Sequence, residues 1–450
     1  MVKIAYTLLI FLSLVFVGTK GKTRVVDKQP IAPLVVSMDW LKEACDRYPE
    51  MQWLADDNVF RSEENVAIES DQSYSLCLYK KYYPEFDRTA LSLKAFKTFY
   101  KGDYKEYLLF TYKQDPIFRL SYKTFKEIQH FFQTTLGSLK DLDEKGKIEL
   151  MECLILFCDL GKSSIAQNLA TEIGICEPNH NLFFSRVIQK RPDLFPSYAH
   201  LSTLAKQHLI ALAKQPQFGY MTHFEGGIEL FQRLEESNFL DEPELVNFAF
   251  MAHICDVAGA QGHVEPTSSI NYNEKTHQLL MDIFGACNDI PQIGSSKAWN
   301  RFLQKRNRAL EIPSDGVLDQ VILRISSMMR FTIPYEVSCL KKALFQMPPE
   351  TLEQIIDAFS WENRIDTRYL PAVMLNLLCN PALGESFHER LDQAVFIGLP
   401  CLANSIHRSK KLSRLNFNPI AKIAKEDPQA LRKTTFIDEK GFVFAHKANH

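Results

Sequence analysis

Pro243-Glu-Leu-Val-Asn-Phe-Ala-Phe-Met-Ala-His-Ile-Cys-Asp-Val-Ala-Gly259 is apolar on nearly every side between positions 245 and 254. A helix with one apolar stripe lies at a surface, whereas one that is apolar all round is enclosed by its neighbours. The segment therefore predicts a buried helix, and the chain on either side supplies the elements to bury it.

Upstream, residues 89–100, 104–113, 122–136, 144–160, 164–173 and 196–214 space their apolar positions as helices do. Downstream the same spacing marks 227–238, 273–286, 297–310, 316–330, 335–346, 349–359, 369–378 and 387–397. Ser37, Pro348-Pro349 and Asp315-Gly316 are ordinary helix-start signals. Strand alternation bounded by Asn-Gly or Asp-Gly turns is missing, and only 436–444 reads as a short terminal hairpin. The expected fold class is all-α and multi-helical. Leu91-Ser-Leu-Lys-Ala-Phe-Lys97 and Leu120-Ser-Tyr-Lys-Thr-Phe-Lys126 share a pattern, read as two serine-capped helix starts rather than a solenoid.

In chain order the expected organisation is a leader at 1–21, an irregular arm with short helices at 22–86, and an aromatic-rich helical domain at 87–195. A central helical domain at 196–330 and a C-terminal helical region at 331–450 follow. Pro30, Pro33, Pro49 and Pro84 punctuate the arm. At 450 residues the chain can bury at least one large core. A formal charge of -2 leaves no basic excess, so no nucleic-acid partner is expected.

Lys3 followed by the apolar run 4–17, broken only by Thr7 and Ser13, resembles a secretory signal peptide and is short for a spanning helix. Val17-Gly18-Thr19 and Thr19-Lys20-Gly21 stand where an Ala-x-Ala site is usual, so an uncleaved anchor or a buried N-terminal helix is the other reading. Export is the expectation, with membrane contact only through this segment. The cysteines point instead toward the cytoplasm, or toward delivery into that of another cell. Cys153, Cys158, Cys255, Cys339 and Cys379 sit inside apolar helical runs as small core hydrophobes, and no CxxC occurs.

Chemistry concentrates between positions 221 and 282. Asn247, His253 and Asp256 interrupt the apolar helix, and an ionised Asp buried there requires a cation, a donor network or a metal. His253 and Asp256 are three apart and so share one helix face. Imidazole and carboxylate together suit manganese, iron or zinc, with His223 and one of Asp282, His263 or His277 supplying the remaining ligands from adjacent helices. Such an ion lowers the pKa of a bound water and polarises a phosphoryl oxygen. Glu225, beside the Gly226-Gly227 bend, and His263 are the expected proton-transfer groups.

This arrangement resembles the HD-domain superfamily of metal-dependent phosphohydrolases over residues 196–330. His223 precedes His253 by 30 positions, and Asp256-Val-Ala-Gly is similar to the Asp-Ile-Gly helix end of that family. The family's adjacent His-Asp pair is replaced, since Cys255 precedes Asp256, and Asp282, Asp315 and Asp319 all compete for the place of the last aspartate. The resemblance implies an all-helical hydrolase of a nucleotide or other phosphoester, or a degenerate domain that keeps the fold alone.

The competing class is a helical interaction protein. Aromatic residues are dense between positions 74 and 132, and Lys297, Arg301, Lys305, Arg306 and Arg308 form a basic helix suited to phosphate or an acidic protein surface. Neither G-x-x-x-x-G-K-[ST], H-E-x-x-H nor G-x-S-x-G occurs, which removes the common nucleotide-loop, zinc-protease and serine-hydrolase readings. The expected partner is a small phosphorylated substrate or another protein.

Overall fold

The computed structural model describes residues 39–56, 73–175, 180–212, 218, 221, 228–237, 239–313, 316–361, 366–409, 412, 414–433, 435–439 and 441–445. In chain order the helices are α1 (Asp39–Arg47), α2 (Tyr74–Tyr79), α3 (Pro84–Lys101), α4 (Tyr104–Thr111), α5 (Tyr122–Ser138), α6 (Glu144–Leu160) and α7 (Ser164–Glu172). Then come α8 (His180–Lys190), α9 (Pro196–His200), α10 (Thr203–Leu212), α11 (Glu229–Glu236), α12 (Pro243–Gly259) and α13 (Glu274–Ile293). The remainder are α14 (Ser295–Leu310), α15 (Val317–Met328), α16 (Pro334–Phe345), α17 (Pro349–Phe359), α18 (Leu370–Cys379), α19 (Phe387–Arg408) and α20 (Asn418–Glu426). Among the described residues there are also four three-residue strands, β1 (Asp366–Arg368), β2 (Arg414–Asn416), β3 (Thr435–Ile437) and β4 (Val443–Ala445), and five short 3-10 helices. The protein is mostly helical, and no helix among the described residues is long and apolar enough to cross a membrane.

Local sequence explains many of the boundaries. Ser73, Ser121 and Asp143 each accept a backbone N–H from the first turn of α2, α5 and α6. Asp103 and Glu106 form a reciprocal capping box on α4, and Ser386 and Glu389 do so on α19. The chain divides into two discontinuous units: Val17–Pro216 with Asp241–Gln278, and, beyond the N-terminus, Gln217–Leu240 with Leu279–His450.

In the first unit the apolar helix of the sequence analysis, α12, packs along α3. A Cβ at Gly259 would lie 2.0 Å from Ser92 Oγ and 2.6 Å from the Arg88 carbonyl oxygen, and one at Gly262 would lie 2.4 Å from the Asp87 carbonyl oxygen. Only glycine lets the two backbones approach so closely. Behind this contact Phe99 meets Phe110 at 4.8 Å, Phe132 at 5.3 Å and Tyr272 at 5.5 Å between ring centroids, an aromatic core tying α3 to α4, α5 and the segment after α12. Buried carboxylates pin the edges. Asp87 accepts the Ser75 N–H at 2.6 Å and its hydroxyl at 2.9 Å, Glu152 accepts the Tyr48 hydroxyl at 2.5 Å, and Glu50 accepts the Ser197 N–H at 2.9 Å at the start of α9.

In the second unit α19 packs against α16, α17 and α18. Asn376 donates to the Ala421 carbonyl at 2.8 Å, and Asn380 donates to those of Ala424 at 3.0 Å and Lys425 at 2.9 Å, satisfying the last turn of α20. Arg390 does the same for α18 through the Leu378 carbonyl at 3.0 Å. Strands β1 and β2 pair in parallel, and β3 and β4 form the antiparallel terminal hairpin expected from the sequence. The expected helix at 196–214 is two helices, α9 and α10, broken at Leu201-Ser202, and the one expected to stop at 397 continues through Pro400 to Arg408.

Candidate functional site

Three helices of the first unit bring charge to one place. From the first two turns of α3 come Glu85, Arg88 and Thr89; from the end of α6 come Asp159 and, in the turn beyond it, Lys162; from the last turns of α12 comes Asp256. The Lys162 ammonium lies 2.7 Å from Glu85 Oε2 and 2.7 Å from Asp159 Oδ1. Arg88 Nη1 lies 3.0 Å from Glu85 Oε1, and Thr89 donates its hydroxyl to Asp159 Oδ2 at 3.4 Å. Glu85, Thr89, Asp159 and Lys162 are buried, and the Arg88 side chain keeps 16% of its surface in water.

Burying ions is costly unless each is paired. Here burial pulls the Lys162 ammonium down, but Asp159 and Glu85 more than reverse the effect, so its pKa stands above the ordinary lysine value. Asp256 is different. It keeps an exposed face, and among the described residues it makes no hydrogen bond or ion pair. Protein nevertheless crowds it on its other sides. That crowding, then the nearby Asp159, pushes its pKa up to about 6 against the pull of Lys162 and Arg88. Three carboxylates face two cations, and the unpaired one is the carboxyl that water reaches.

Of the residues expected from sequence, His223 and Glu225 lie outside the described residues, as does Asp315. His253 sits one turn before Asp256 on α12, half-buried, and burial pushes its imidazole down to about 4. The charges acting on Asp256 come from α3, from the end of α6 and from the turn beyond it. His263 is buried in the turn after α12, where its backbone carbonyl accepts the Tyr82 hydroxyl at 3.2 Å. His277 shares a 2.9 Å hydrogen bond with the Tyr272 hydroxyl. Asp282 belongs to the second unit, with Lys305 Nζ at 3.9 Å. Among the described residues, which leave out His223, no three His, Cys, Asp or Glu are grouped to hold a metal ion.

Sequence reasoning missed Glu85, Arg88, Asp159 and Lys162. A usable signal existed for one of them: Asp159 ends the apolar stretch Leu-Ile-Leu-Phe-Cys that fills the last turns of α6, where a bare carboxylate needs a partner. The others open or follow helices, where charge is ordinary.

Compared with known proteins, residues 44–416 match the model of a family described as a family of unknown function, DUF6829. No curated protein and no solved structure matches the chain.

Proposed function

Because the chain belongs to the family of unknown function DUF6829, we propose an activity from the site itself: hydrolysis of a phosphoester, in a nucleotide or another small phosphorylated molecule, with Asp256 transferring the proton. One observation carries the reading. A water-accessible carboxyl with no direct partner, raised to about 6, stands beside two cations. A group that titrates there is matched to accept and return a proton near neutral pH.

Arg88, partly in water, is suited to bind phosphate oxygens, and the buried Glu85–Lys162–Asp159 chain holds it in place through Glu85. In the step proposed, a water oxygen attacks phosphorus while its proton passes to the Asp256 carboxylate. The ester P–O bond breaks, and the departing alkoxide takes that proton. The resemblance of the His223, His253 and Asp256 spacing to HD-domain phosphohydrolases supports the same substrate class and adds a manganese, iron or zinc ion held by these residues. Lys162 and Arg88 already place positive charge beside Asp256, which favours proton transfer over metal ligation for that carboxylate. The apolar run at 4–17 supports an exported location.

The test is hydrolysis of a panel of nucleotides and simple phosphate monoesters by the full chain, with added manganese and with chelator. Asp256→Asn is expected to lower turnover by roughly 10²–10⁴-fold while the fold is kept. Turnover unchanged in that variant, or absent from the wild-type chain across the panel, overturns the reading. About one transition metal per chain, lost in His253→Ala, would assign these residues to a metal instead.

A further inference from the structure

The charges beside Asp256 limit how much negative charge a substrate can bring to it. Those that act on it are Asp159, Lys162, Arg88 and Glu85. Lys162 lies 2.7 Å from both Glu85 and Asp159, and Glu85 is shared with Arg88 at 3.0 Å, so the two cations are already matched by two carboxylates. Asp256 is the third carboxylate, and once ionised it leaves the cluster with a surplus of one negative charge. The oxygens of Asp87, beside Arg88 in the chain, are both taken by Ser75, at 2.6 Å and 2.9 Å. Lys162 is buried, which leaves Arg88 as the cation that a phosphoryl group meets.

Proton loss sharpens the limit. A phosphate monoester gives up its second proton at about pH 6, over the interval in which Asp256, raised to about 6, ionises as well. Where this base is ready, a monoester is therefore a dianion and meets surplus negative charge; where the monoester is a monoanion, the base is protonated. A diester keeps a single charge on both sides of that interval, and one guanidinium matches it. Its monoester product then ionises, and the same surplus repels it from the site.

Resting on the phosphoester reading above, we infer that the substrate is a phosphodiester, its non-bridging oxygens held by Arg88, and that monoesters are disfavoured by charge. In the step, a water oxygen bonds to phosphorus as its proton passes to the Asp256 carboxylate. One ester P–O bond breaks, and the departing alkoxide takes that proton, giving an alcohol and a phosphate monoester. A divalent ion bound at the site would add positive charge and erase the discrimination.

The experiment sets methyl p-nitrophenyl phosphate, a diester, against p-nitrophenyl phosphate, the monoester with the same leaving group, and a dinucleotide against a mononucleotide. The full chain is assayed at about pH 8, where Asp256 and the monoesters are both ionised, with chelator and separately with manganese. The diesters extend the panel of nucleotides and monoesters above. With chelator, kcat/KM for each diester is expected to exceed that for its monoester by roughly tenfold or more. Asp159→Asn removes one negative charge while leaving Asp256 in place, and is expected to narrow that ratio by roughly threefold or more. A monoester that equals or outpaces its diester, or turnover that needs manganese, overturns this inference and leaves the phosphoester reading standing. A ratio unmoved in a folded Asp159→Asn chain overturns it as well, and if that chain does not fold the wild-type ratio decides. No hydrolysis of any phosphoester under either condition overturns both.

Discussion

Gly259 and Ser92 touch with no room for a methyl group between them: a Cβ on the first would stand 2.0 Å from the hydroxyl oxygen of the second, and 2.7 Å from its backbone nitrogen. The nitrogen cannot rotate away as a hydroxyl can. Gly259→Ala is therefore expected to destabilise the protein by about 1–3 kcal/mol. Gly137, in α5, has nothing within 4 Å of its missing Cβ, and Gly137→Ala is expected to stabilise by about 0.5–1 kcal/mol. Denaturant midpoints of the two variants should move in opposite directions.

Lys162→Met leaves Glu85 and Asp159 buried without the cation they share. Removing one member of a buried ionic set costs about 3–5 kcal/mol, most of it from the stranded charge. Glu85 keeps Arg88, so adding Asp159→Asn removes the carboxylate left without a cation, and the double variant should melt above the single one. A double variant melting at or below the single would show that Lys162 acts by packing alone.

Asp87 is fully buried, and burial outweighs its hydrogen bonds from Ser75 to push its pKa from 3.8 up to about 7. A carboxyl raised on folding contributes stability that is complete below its unfolded pKa and lost as pH rises through the folded one. Melting temperature should thus carry a falling component between about pH 4 and pH 7, worth on the order of 4 kcal/mol at most, and Asp87→Asn should flatten it. His253 has the opposite sign. Its pKa is lowered from 6.5 to about 4, so its contribution is present above 6.5 and lost as pH falls through about 4. His253→Gln should make the protein less sensitive to acid over that interval.

Asp256 supplies a kinetic counterpart. If it accepts the proton from water, turnover should rise through a pH near 6, the value its surroundings impose. Weakening the cation beside it by Arg88→Gln should move that limb upward, because one of the two charges that favour the ionised form is gone. A limb that stays in place in this variant would assign it to another group.

The helices were legible because apolar spacing reports directly which face is buried, and α6 and α17 begin and end where that spacing does. Tyr74-Ser-Leu-Cys-Leu-Tyr79 was not, since six residues are too few to display a period. The break between α9 and α10 falls at Leu201-Ser202, with neither Gly nor Pro to mark it, and Pro400 sits inside α19 although proline usually signals an end. Three-residue strands such as β1 and β2 cannot show alternation at all. Asp256 stood out as a charge in an oily helix. Its neighbours did not, because Glu85 and Arg88 lie in the opening turns of a helix, where charge is ordinary, and the pairing of Glu85 with Lys162 is set by tertiary contact, which leaves no local trace.

The place of α12 in the first unit also fixes an order of events during synthesis. Helix α3 leaves the ribosome long before the helix that will lie along it, and the stretch from Gln217 to Leu240, destined for the other unit, is made in between. At about 5–20 residues per second the nascent chain spends on the order of ten seconds with the α3 surface around Ser92 bare. Completion of the first unit is therefore a late, post-Gln278 event, and a fragment stopped before Pro243 would be a client for chaperones rather than a self-standing domain.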